Sequence, residues 1–246
     1  LLSGFIAIIG LILYVWWPLA EEYISLFNPD IPIWRQLDYL LVGNFLVMTV
    51  LIMGSADLRH DLPLALVGLA GGLVIEAWGT QTGIWNYYTS ERPPLWIVPA
   101  WPIATLSIDR LYRILDHLAR RLPDREVNAG YWVILGAFLA LMLWFIFPTL
   151  DKSLTVMALF LCLFIYFTPT DKRAMLFIFL MGAALGYFLE RWGTSRLCWT
   201  YYTRETPPVF AVFAHGMASV SFWRANKAIL FALQKFPLRI SLLKHQ

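Results

Sequence analysis

The chain has 246 residues, 59% of them hydrophobic and 14% charged, with mean hydropathy +0.64 and a formal net charge of +3. That balance excludes an ordinary soluble domain and places the chain in a bilayer. No nucleic-acid partner is expected.

The opening stretch, LLSGFIAIIGLILYVWWPLA, is apolar without a basic lead or a small-residue cleavage site. It is read as a first span whose true start is missing, not as a signal peptide. Apolar runs near the roughly 20 residues a hydrocarbon core requires fall at about 3–19, 36–54, 62–79, 94–112, 130–148, 153–169, 174–192 and 207–233. The pattern predicts an all-α polytopic membrane protein of about eight transmembrane helices.

Basic residues accumulate on cytoplasmic segments. With the amino terminus inside, thirteen of the nineteen Lys and Arg residues fall on the inner side, among them Arg110, Arg224, Arg239 and Lys244. Both termini are then cytoplasmic, in the cell (inner) membrane. Arg110 and Arg224, at the inner ends of their spans, read as interfacial anchors.

Cys162 lies in a span and Cys198 in a connector, so neither a disulfide framework nor a thiol metal site is indicated. His60, His117, His215 and His245 are far apart and lack the spacing of a metal-binding helix. No metal and no cofactor is expected.

Shifted by 114 residues, segment 57–115 lies on 171–229 without a gap, and 23 of the 59 positions are identical. Two parallel four-helix repeats follow: 1–115, a basic cytoplasmic linker at 116–129, then 130–246 with a basic cytoplasmic tail. An even number of spans separates the copies, so both cross the membrane in one direction, about an axis along its normal. GTQTGIWNYYTSERPP, 79–94, and GTSRLCWTYYTRETPP, 193–208, are the paired outward connectors. Gly68, Ala70 and Gly72 recur as Gly182, Ala184 and Gly186, faces on which helices approach closely. Pro93 and Pro94, and likewise Pro207 and Pro208, are read as opening the helices that follow.

Glu76 and Glu190 fall outside this packing scheme. Each lies eight residues after a shared glycine, near a helix C-terminus where the dipole disfavours negative charge. A carboxyl group about one turn below the interface must be paired, hydrated or protonated, and in the last form it can donate a proton. A structural alternative is a Glu that reaches water or is hydrogen-bonded to Thr80 and Trp85. The copies differ where Trp101 matches His215, Asp109 matches Trp223 and Ala77 matches Arg191. Such differences suit a single asymmetric site between two halves, with His215 the candidate partner for a carboxylate.

EAWGTQTGIWNYYTSERPPLWIVPAW, 76–101, resembles the membrane carotenoid-biosynthesis family of the carotenoid hydratase type. That motif joins a span-ending Glu, a glycine, a Thr-Gly pair, a Tyr-rich connector and a proline, matched by Glu76, Gly79, Thr82, Gly83, Tyr88 and Pro99. The second copy keeps Glu190, Gly193 and Tyr202 but has Arg196 and Leu197 for the Thr-Gly pair, and neither copy has the family's Phe-Gly step. The likeness covers about thirty residues per copy; the membrane lycopene cyclases are a looser analogue. The resemblance implies an enzyme acting on a carotenoid or other isoprenoid dissolved in membrane lipid. Its carboxylic acid, Glu76 or Glu190, protonates a terminal double bond, and water or an internal alkene captures the cation. His215 orients or reprotonates the acid; Trp85, Tyr88, Trp101, Trp199 and Tyr202 form the substrate-binding set, their rings facing the cation. Two other readings stand beside it: a non-catalytic subunit that packs partner helices of a larger membrane complex or holds pigment or lipid, and a small transporter built from parallel repeats.

Overall fold

The computed structural model describes residues 2–235; Arg239, Lys244 and His245 lie outside the described residues. Eight α-helices are present among them: α1 Leu2–Ser25, α2 Tyr39–Gly54, α3 Leu58–Thr82, α4 Ala100–Leu118, α5 Asp124–Ile146, α6 Ser153–Phe167, α7 Lys172–Ser195 and α8 Val209–Lys235. By length and composition, α3, α7 and the span Asp124–Thr149 containing α5 can cross a membrane, while α2 and α6 are apolar but shorter.

Aspartates start several of these helices. Asp38 accepts from the Leu40 and Leu41 amides at the head of α2, and Asp57 and Asp171, 114 residues apart, cap α3 and α7. Each satisfies amides that the helix itself leaves unpaired. The stretch 116–129, read as a linker, is mostly helix, because α4 runs to Leu118 and α5 begins at Asp124.

Helix α3 packs along α4 and α7 along α8, while α4 also meets α7 and α3 meets α8 crosswise. Helix α2 lies against α4 and α7, and α6 against α3 and α5. Close approach follows from small residues. A methyl group on Gly182 would stand 2.8 Å from the Gly216 Cα, and one on Gly68 2.7 Å from the Thr105 hydroxyl. Phe138, Phe145, Phe179 and Phe210 fill the space beside α5, with Phe145 and Phe210 stacked 4.4 Å apart.

Between α3 and α4, and again between α7 and α8, the chain makes a short strand: β1 Trp85–Tyr87 and β2 Trp199–Tyr201. They pair antiparallel, Trp85 opposite Tyr201, Asn86 opposite Thr200 and Tyr87 opposite Trp199. The ladder extends through Tyr88 N–H to Cys198 O and Tyr202 N–H to Ile84 O, both 3.1 Å. A strand in each connector was not among the sequence expectations.

The prolines behave differently in the two connectors. Helix α8 begins at Val209, directly after Pro208, but α4 begins only at Ala100, six residues beyond Pro94. Residues 95–99 form turns instead. Pro99 and Pro102 supply the restricted φ and missing N–H at the entrance of α4, where the second copy has Phe213 and Gly216.

Candidate functional site

The site is built where the two strands meet the last turns of α3 and α7. Alternation along a strand sends residues i and i+2 to one face, so Trp85 and Tyr87 of β1 point inward together, as do Trp199 and Tyr201 of β2; all four are buried. The indole of Trp85 donates to Glu76 Oε2 at 3.0 Å, the Tyr87 hydroxyl donates to the same oxygen at 2.9 Å, and the Trp101 indole donates to Oε1 at 3.1 Å. At the second carboxylate, Trp199 Nε1 donates to Glu190 Oε2 at 2.9 Å and the Tyr201 hydroxyl to Oε1 at 2.8 Å. His215 Nε2 lies 3.1 Å from that Oε1.

Glycines make room for these contacts. A methyl group on Gly79 or Gly193 would fall inside the Trp85 or Trp199 ring, and one on Gly186 would stand 2.6 Å from the His215 Cβ. Thr80 and Thr194 donate to the Glu76 and Glu190 backbone carbonyls at 2.6 Å, not to the carboxylates.

Glu76 and Glu190 are 3% and 4% exposed, and both line one cavity of about 2000 Å³. The Trp101 and His215 rings stack at 5.4 Å between the two halves, so the carboxylates share a single aromatic chamber. Burial first, and then the carboxylate beside each, hold the Tyr87 and Tyr201 phenols well above their usual range. Both tyrosines therefore remain protonated donors, and His215 stands at Glu190 where Trp101 stands at Glu76.

Of the residues singled out from sequence, Glu76, Glu190, His215, Trp85, Trp101 and Trp199 converge here. Tyr88 and Tyr202 do not bond either carboxylate. Tyr88 is half exposed beside Trp96, and the Tyr202 hydroxyl donates to Phe145 O at 2.6 Å. The contacting tyrosines are their neighbours Tyr87 and Tyr201, displaced by the two-residue period of the strands. Alternation in WNYYT and WTYYT was the signal that identifies them.

Arg110 is also placed differently from the interfacial anchor expected. It is 3% exposed, donates to both oxygens of Asp61 at 2.7 Å and to Asp109 at 2.7 Å, and reaches Ser55 O at 3.2 Å. A buried guanidinium is tolerated because two carboxylates neutralise it. Cys162 and Cys198 are free, and among the described residues no group of His, Cys, Asp and Glu is arranged to hold a metal.

No family model, curated protein or solved structure matches this chain.

Proposed function

We propose that the chain is an eight-span protein of two parallel four-helix repeats, with cytoplasmic termini, that protonates a double bond of a bilayer-dissolved isoprenoid. The observation that carries the reading is the pair of buried carboxyl groups facing one large apolar cavity, each ringed by aromatic donors. Three donors, two indoles and a phenol, hold the Glu76 carboxyl oxygens in place, and none of them has a proton to relay at neutral pH. Glu190 differs by one partner, His215 in place of a tryptophan.

That single difference divides the work. Glu190 gives its proton to the less substituted carbon of the terminal double bond, leaving a tertiary cation on the other, and His215 relays a proton back to Glu190. Glu76 lines the same cavity, and the Trp85, Trp101 and Trp199 rings stabilise the cation through their faces. Hydration ends when water attacks the cation and loses one proton; cyclisation ends when an internal alkene attacks and the ring loses one. In either case the proton returns; hydration consumes one water, and cyclisation consumes no co-reactant.

The test compares isoprenoid extracts of cells that do and do not carry the chain. Products heavier by one water, or of equal mass but cyclised, are expected with the chain and absent with Glu190→Gln. His215→Gln lowers turnover about 10²-fold, the size of a general acid–base contribution. Extracts that differ in amounts but hold the same compounds reject catalysis and favour a pigment- or lipid-holding subunit.

A further inference from the structure

Arg110 and Arg224 occupy matching positions 114 residues apart, yet their surroundings differ in charge. Asp61 and Asp109 neutralise Arg110, whereas the matching residues around Arg224 are Met175 and Trp223. Among the described residues no carboxylate pairs with Arg224, and the undescribed residues 1 and 236–246 contain no Asp or Glu. Its guanidinium donates to Ile165 O at 3.0 Å and to the Thr168 hydroxyl at 3.2 Å and lies over the Phe164 ring at 5.4 Å, all of them uncharged.

Arg224 also lines the cavity that holds both glutamates. It follows His215 by nine residues on α8, about 13 Å along the axis. Ala218, Ser221 and Ala225 lie on the cavity side of α8 over this distance, so the wall there is low and open to a chain. Lys227, one turn further, adds a second positive charge, its ammonium 4.0 Å from the Trp223 ring centroid.

A half-buried guanidinium with neutral partners keeps its full charge at the end of an apolar chamber, and its planar fork of donors fits the oxygens of a phosphate. We propose that Arg224 seats the phosphate-ester head group of a lipid whose tail extends toward Glu190. The isoprenoid nature of that tail rests on the function proposed above; the head-group seat does not.

Binding to the purified, detergent-solubilised full chain tests this by calorimetry, with dodecyl phosphate, dodecanol and inorganic phosphate as probes. Dodecyl phosphate is expected to bind at least about tenfold tighter than dodecanol, the effect of one charge-assisted contact. Arg224→Gln removes that preference and leaves dodecanol binding unchanged, while Arg224→Lys retains part of it. Trp223→Asp, which gives Arg224 the acidic neighbour Arg110 has, removes it with the arginine still present, so a poorly folding Arg224→Gln leaves the question answerable. Equal binding of the two dodecyl probes, or an undiminished preference in folded Arg224→Gln, overturns the seat. Inorganic phosphate competing at the same concentration as dodecyl phosphate also overturns it, since the site then takes a free anion. No turnover is measured, so loss of the phosphate preference and loss of the isoprenoid product are separate failures.

Discussion

Leu197 adopts φ 58° at the position where the first connector has Gly83 at φ 77°. The two turns are otherwise alike: Ile84 N–H bonds Gly79 O, and Cys198 N–H bonds Gly193 O, both at 2.9 Å. Left-handed backbone strains an L residue by roughly 1–2 kcal/mol and glycine hardly at all. Leu197→Gly is therefore expected to raise stability by about 1 kcal/mol, since this side chain is 67% exposed and forfeits little burial. A thermal denaturation midpoint that does not rise for this variant contradicts the reading. Asp38 gives the complementary case. Burial pushes its carboxyl up, but the Arg196 guanidinium, the Leu41 amide and the Trp192 indole outweigh burial and hold it below the usual carboxylate range. Asp38→Asn is expected to cost about 1–2 kcal/mol at neutral pH. Because the folded-state value lies below that of the unfolded chain, about 3.9, the stabilisation is complete above that value and disappears as pH falls through the folded one. The gap between wild type and variant in a denaturation series should close on acidification; a constant gap would exclude the ionised carboxyl as its source.

The connector strands set the chemistry, and they are the elements least visible in the sequence. Helices were legible because long apolar runs carry their own boundaries, and Glu76, Glu190 and His215 were legible because the 114-residue shift exposed both what recurs and what differs. Strands of three residues carry no such signal, and an aromatic connector reads first as an interfacial belt. Their pairing joins residues more than a hundred positions apart, which no local pattern encodes. The ion pair of Arg110 with Asp61 was missed for a related reason, since Asp61 reaches it from 49 residues away. The strand faces make a direct contrast. Tyr87→Phe and Tyr201→Phe each remove a donor from a buried carboxyl group and should cost about 1–3 kcal/mol, the range for leaving a buried polar group without its partner. Tyr88→Phe, with a half-exposed ring and no bond to either glutamate, should stay within about 0.5 kcal/mol of the unaltered chain. Equal costs at 87 and 88 would mean that burial of the ring, not the hydroxyl, sets stability there.

At the scale of the molecule, the carboxylates become neighbours because β1 pairs with β2 where α3 and α4 meet α7 and α8. Matching contacts recur on both sides of that seam. Trp78 on α3 donates to Thr155 at the head of α6, and Trp192 on α7 donates to Asp38 at the head of α2, so each half reaches across to the other. Residues facing each other across this seam can be joined covalently. Asn86 and Thr200 are exposed partners in the ladder, and their alternation with the bonded Tyr88 and Cys198 pair makes them a hydrogen-bonded pair. Such a pair has Cα atoms about 5.5 Å apart, within the range a disulfide spans. In a chain whose Cys162 and Cys198 are first changed to Ser, Asn86→Cys with Thr200→Cys should oxidise readily. Trypsin cleavage at Arg120 or Arg121, in the loop between α4 and α5, would then leave two fragments that separate on a gel only after reduction. Asn86→Cys with Thr203→Cys, three residues out of register, should not link. Fragments that separate without reductant in the first variant would mean that the halves do not meet at these strands, and the shared chamber for Glu76 and Glu190 would lose its basis.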